Sequence, residues 1–202
     1  MNDPQGRWRE PAPEEYSRVT NPERFRPLHR HALDLLARLE ATYAVARSDA
    51  FGLLPGLMQP FVYARPPVTL TPAAPGAAPV AVAFAPFPGL VVRYGRWHAL
   101  PLPSCGCDAC GEDAAGQAER LDDVLGKVVA GLFAEELRIP LFGDARLHGR
   151  FGDGTPRWGL GAVGTTLPRA VARRLAGPGP RRIQWQPWQR RQRQVGRSVP
   201  AV

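Results

Sequence analysis

The sequence predicts an α+β protein: a small, mainly antiparallel sheet with two long helices packed on one face and a short third helix near the C-terminus. Three observations carry this. Two stretches, one from Phe25 and one from Ala118, repeat apolar residues along a single stripe at helical spacing. Between them Val80–Phe84, Leu90–Tyr94 and Trp97–Leu102 are short apolar runs broken by Pro and Gly, as in an antiparallel meander. The 23 prolines and 21 glycines cut the remainder into short elements. Each helix has one apolar stripe, so both need a common surface to bury it.

The elements follow in order. Residues 1–15 are rich in Pro and charge and are expected to form a flexible leader. Thr20-Asn21-Pro22-Glu23 offers a cap, a first-turn proline and a capping box. The first helix then buries Phe25, Leu28, Ala32, Leu35, Leu36, Leu39 and Tyr43. Tyr43–Ala50 switches to a strand, Phe51–Phe61 is a loop or short helical turn, and Pro67–Thr71 is a strand with Val68 and Leu70 on one face. Ala73–Pro79 is a small-residue connection into the three-run meander. The second helix is expected over Glu112–Arg138, with Ala118, Leu121, Val124, Leu125, Val128, Val129, Leu132 and Phe133 as its apolar face. Arg138–Phe151 reads as a loop and one strand with Leu147 and Phe151 inward. Gly152–Gly164 reads as a Gly-rich turn around Trp158. Leu167–Ala176 is a short basic helix capped at Thr165 or Thr166, and Arg182–Trp185 a last strand. One domain thus spans 16–188, and residues 189–202, without apolar periodicity, form a basic tail expected to be disordered.

Charge is distributed unevenly. The net charge is +8, yet no Asp or Glu follows Asp153. From Arg169 onward there are nine arginines, which leaves residues 1–168 with 17 basic and 18 acidic side chains. The body is near neutral and the basicity belongs to the C-terminus. The N-terminus lacks an apolar signal region and the apolar runs are short, so neither secretion nor a transmembrane helix is expected. Clustered cysteines in odd number, without a secretion signal, suit a reducing cytoplasm.

The chemistry concentrates in Cys105-Gly-Cys107-Asp-Ala-Cys110. Three soft ligands on one tight loop favour Zn²⁺, and four-coordination asks for one more. His98, at the end of the strand entering the loop, is the preferred fourth ligand; His148, Asp108 and water are the others. The Cys107-Asp-Ala-Cys110 spacing before a helix also suits thiol redox chemistry, because the helix dipole favours a thiolate. Asp108, Glu112 and Asp113 oppose that by adding negative charge. The bland alternative is an unreactive loop capping the helix. His29 and His31 are two apart and do not share a helix face. In the tail, Arg181, Arg182, Arg190, Arg191, Arg193 and Arg197 alternate with Trp185 and Trp188, residue types that contact phosphates and stack on bases. No hydrolase, metalloprotease or phosphate-loop motif is present.

Several stretches together resemble an uncharacterised actinobacterial family, a domain of unknown function. They are NPERFRPLHRHALDLLARLEATY, FPGLVVRYGRWH, CGCDACGE, VVAGLFAEELR and GPRRIQWQPW, extending from about Tyr16 to Trp188. CGCDAC after a Trp-His strand is the most specific of these. The resemblance implies one domain and carries no activity, cofactor or partner.

With no convergent catalytic set, the residues point to a non-enzymatic cytoplasmic binding or interaction module with a Cys-based structural zinc site as candidate; a protein is a candidate partner, and no membrane partner is expected. Two alternatives stand beside it. One is a thiol redox protein or enzyme using Cys105, Cys107 and Cys110. The other is a nucleic-acid-associated protein acting through the Arg/Trp-rich C-terminus.

Overall fold

The computed structural model describes residues 10–54, 62–152 and 165–192. The Gly-rich turn around Trp158, most of the leader, the end of the Phe51–Phe61 loop and the far tail lie outside the described residues.

Strands and helices follow the α+β expectation, with the strands divided between two antiparallel sheets. A 3-10 turn, Pro22–Phe25, leads into α1 (Arg26–Thr42), followed by β1 (Val45–Ser48), β2 (Arg65–Pro72), β3 (Val80–Phe84), β4 (Leu90–Tyr94) and β5 (His98–Leu102). These five strands form a meander in chain order. The β2–β3 register shifts between Arg65 and Val68, where Pro66 and Pro67 have no N–H to give the ladder. After the meander come α2 (Ala114–Val129), β6 (Phe133–Arg138), β7 (Ala145–Phe151), β8 (Thr165–Leu167), α3 (Arg169–Ala176) and β9 (Arg182–Gln184). The second sheet has the order β8-β7-β6-β9.

The main core lies between the first sheet and the two long helices. Leu28, Ala32 and Leu36 of α1 and Leu121, Val124, Leu125 and Val128 of α2 pack with Val68, Leu70, Val80, Val82, Phe84, Leu90 and Val92. Both predicted stripes therefore meet the common surface they required. A second, smaller core joins Leu137, Ala145 and Leu147 to Ala172, Leu175 and Ala176 of α3, with Trp97 and Leu54.

Three expectations are corrected. The second helix does not reach Arg138. It ends at Val129, and Gly131 takes φ +72°, a left-handed turn that a side chain disfavours. A Cβ at Gly131 would also lie 2.4 Å from the Pro187 nitrogen. Phe133, Glu135 and Leu137 then alternate inward along β6, so Phe133 is buried from a strand and Leu132 is 45% exposed. Thr20 does not cap α1: its N–H and hydroxyl donate to Asp108, 88 residues away. Thr165 and Thr166 lie in β8, and α3 starts after Pro168 with no side-chain cap.

The C-terminal segment returns across the molecule. After β9, the Gln186 N–H donates to Gly76 O, the Trp188 N–H to Val129 O and the Arg191 N–H to Thr42 O. Trp188 is buried, with its indole N–H on Ala78 O and its ring edge-on to Tyr43.

Candidate metal centre

The cysteine loop lies between β5 and α2. Its three Sγ atoms all lie within 4.8 Å of one another, with Cys107 and Cys110 at 3.3 Å. Cys107 is buried, whereas Cys105 and Cys110 are exposed. Gly106 makes the tight approach feasible. Its φ of +80° lies in the left-handed region, and a Cβ there would come 2.9 Å from the Phe87 ring.

Surrounding charges hold the loop in shape. Glu112 accepts N–H bonds from Ser104, Cys105 and Gly106 at 3.1–3.2 Å. Burial alone would push its carboxyl up. The three N–H groups and the Arg120 charge outweigh that and hold it below the ordinary carboxylate value. From the other side the Arg24 guanidinium donates to Gly106 O at 2.8 Å, Cys107 O at 3.3 Å and Glu112 O at 3.2 Å. Asp108 accepts from Thr20 and Arg18, and these bonds, Thr20 N–H first, keep it ionised to lower pH than a free aspartate. The backbone adds two links, Asp108 N–H to Arg18 O and Ala109 N–H to Glu15 O. Asp113 caps α2 by accepting from the Gly116 N–H at 2.8 Å.

The thiols are electrostatically unequal. Cys107 is held below the usual thiol value because Cys105 first, and then Cys110, donates to its thiolate. Cys110 is pushed up to about 12, chiefly by that bond to Cys107 and then by burial. Negative charge near the loop, expected to disfavour a thiolate, is spent on backbone N–H groups and arginines. The arrangement can thus present a thiolate flanked by two further sulfurs, suited to a soft metal ion or to dithiol chemistry.

His98 is not brought into this group. It lies on the core face of β5, its Nδ1 2.8 Å from Glu135 Oε2 and its ring stacked on Tyr94. Glu135, 2% exposed, also accepts from the Arg96 and Trp97 N–H groups and from the Trp185 indole. His148 is on β7 opposite Glu136, and Asp108 is engaged as described. His29 bonds Gly89 O, and His31 bonds Asp122, separate settings as their spacing requires. The Trp185 indole N–H donates to Glu135, and Trp188 is buried in the core.

The loop-supporting roles of Arg18, Thr20, Arg24 and Glu112 escaped the sequence. All but Glu112 act over more than 80 residues, and no local spacing encodes such contacts. Glu112 is six residues from Gly106, and its place at the end of the CGCDACGE string is the available signal.

Fold and site together define a class: an α+β protein of two antiparallel sheets bearing a braced three-thiol loop. Within that class the chain belongs to a family of unknown function, DUF6226, whose model matches residues 3–192. No curated protein and no solved structure matches the chain. Among the described residues, no helix is long and apolar enough to cross a membrane.

Proposed function

We propose that this is a non-enzymatic binding module whose N-terminal segment is fastened by Zn²⁺ on Cys105, Cys107 and Cys110. The observation that carries the reading is the convergence of three sulfurs within 4.8 Å on a loop already braced by Glu112 and Arg24. Zn–S bonds of about 2.3 Å place tetrahedral thiolates roughly 3.8 Å apart, a small adjustment from this geometry. The fourth position falls to water or to a partner's side chain, since Asp108 and Glu112 are engaged and His98 is held by Glu135. The metal would fix the loop carbonyls and N–H groups that grip Glu15–Arg24, so its role is to order that segment against the start of α2.

Elemental analysis of protein purified without a His tag tests this. We expect near-stoichiometric zinc, lost in Cys107→Ser and retained in His98→Ala, and a melting temperature lowered by chelation. A metal content near zero with unchanged melting after chelation rejects the reading. A second reading, a dithiol pair, draws on the 3.3 Å Cys107–Cys110 separation and the lowered Cys107 thiol. It requires two protons and two electrons to pass to an oxidant such as glutathione disulfide as the Cys107–Cys110 bond forms. Slow, uniform alkylation of all three thiols in metal-free protein would remove it.

A further inference from the structure

The β6–β7 hairpin turns two adjacent large apolar side chains fully outward: Leu141 is 81% exposed and Phe142 88%. They are the most exposed large hydrophobics among the described residues. The tip is nonetheless built rather than loose. Ile139 packs on the second core, Arg169 donates to Leu141 O, and strand pairing continues to Arg138↔Arg146 at the loop's base.

The sheet face behind the tip is basic. Arg138 and Arg146 are direct cross-strand partners; Arg150 lies opposite Ala134, and Arg182 opposite Glu136, on the same face. Glu136 is the acid on this face and bridges Arg138 at 3.0 Å and Arg182 at 2.9 Å. His148 lies opposite it, and Asp144 is the acid within the loop. Beside the guanidiniums is a hollow of about 290 Å³ lined by Arg138, Arg150, Arg182 and His148 together with Glu135 and Glu136. Like charges directly opposed across strands disfavour the sheet, and an apolar tip in water forgoes its transfer free energy.

We propose that this hairpin docks the protein on an anionic lipid surface. Leu141 and Phe142 enter the boundary between headgroups and acyl chains, and Arg138, Arg146, Arg150 and Arg182 meet the headgroups. One environment then relieves both liabilities, and neither signal alone gives firm attachment. A convex tip suits a medium that opens around it, whereas a protein would need a matching socket. A nucleic acid would engage the arginines and leave Leu141 and Phe142 in water.

The test is sedimentation of the full chain with phosphatidylcholine vesicles, with and without about a third phosphatidylserine. Binding is expected on the anionic vesicles, falling with added salt. The paired substitutions Leu141→Ser with Phe142→Ser, and Arg146→Gln with Arg150→Gln, should each weaken it by at least about tenfold while melting stays unchanged. Absence of vesicle binding at low salt overturns the proposal. So does equal binding by the Leu141/Phe142 variant, which would move the contact to other arginines of the chain. Duplex DNA binding that needs Arg146 and Arg150 but not Leu141 and Phe142, without vesicle binding, would assign the face to nucleic acid instead.

Discussion

Glu135 shows how much one residue can organise. Its buried carboxylate joins the β4–β5 turn, through Arg96 and Trp97, to β6 and to the C-terminal Trp185, with His98 as a fourth partner. A carboxylate accepts at both oxygens, whereas an amide turns one end into a donor. Glu135→Gln keeps the shape and leaves at least one of these buried N–H groups without an acceptor. It should lower stability by about 1–3 kcal/mol or more, read by urea denaturation. A loss under about 0.5 kcal/mol would show that the four contacts are not energetically engaged. Arg24 acts likewise at the cysteine loop, where it reaches three carbonyl oxygens. Arg24→Ala is expected to weaken zinc retention by about 10–100-fold in a chelator competition, the usual consequence of losing an outer support of a metal site. Zinc retention equal to wild type would separate Arg24 from the metal. Neither role was legible in the sequence, where an acid in an apparent helix and an arginine near a helix start both read as solvated charge.

Local order was more legible than long-range pairing. The stripe of α1, that of α2 as far as Val129, and the runs of β3, β4 and β5 are written in residue spacing and take their expected form. The sequence pattern carries α2 past its true end because Leu132 and Phe133 continue the helical stripe by composition. Gly131 and the period-two alternation of Phe133, Glu135 and Leu137 hold the competing signal, and the tertiary partners of β6 decide between them. The cysteine cluster was legible because its three members are adjacent in sequence; its bracing was not. Two substitutions test the helix and its ending. Leu125, with no exposed surface, should not tolerate Asp: Leu125→Asp is expected to abolish soluble folding, since an unpaired charge in the core costs several kcal/mol. Normal expression with cooperative melting would contradict the packing. Gly131→Ala should cost more than about 1 kcal/mol, combining an unfavourable φ with a clash at Pro187. Melting at the wild-type temperature would show that the turn relaxes freely.

Across the whole molecule, the C-terminal segment acts as a strap. β9 extends the second sheet beside β6, and the chain then crosses to the β2–β3 connection at Gly76, to the end of α2 at Val129 and to Thr42 at the end of α1. Arg190 forms a bridge with Tyr43, and the Arg191 side chain donates to Tyr43 O. Residues that look like the start of a solvated basic tail therefore fasten the two sheets to one another. Trp188 is its anchor: 4% exposed, edge-on to Tyr43 and donating to Ala78 O. Trp188→Ala would open a large cavity and leave the Ala78 carbonyl without its indole donor. The expected loss is about 3–5 kcal/mol in equilibrium denaturation. Trp188→Phe fills most of the same volume without the N–H, so it should recover the packing part of that loss and leave about 1 kcal/mol from the missing hydrogen bond. If the strap merely lies on the surface, both variants will unfold with the wild type. If Trp188 holds the sheets together, the stability order will be wild type, then Phe, then Ala, and a chain ending at Pro180 will lose cooperative unfolding altogether.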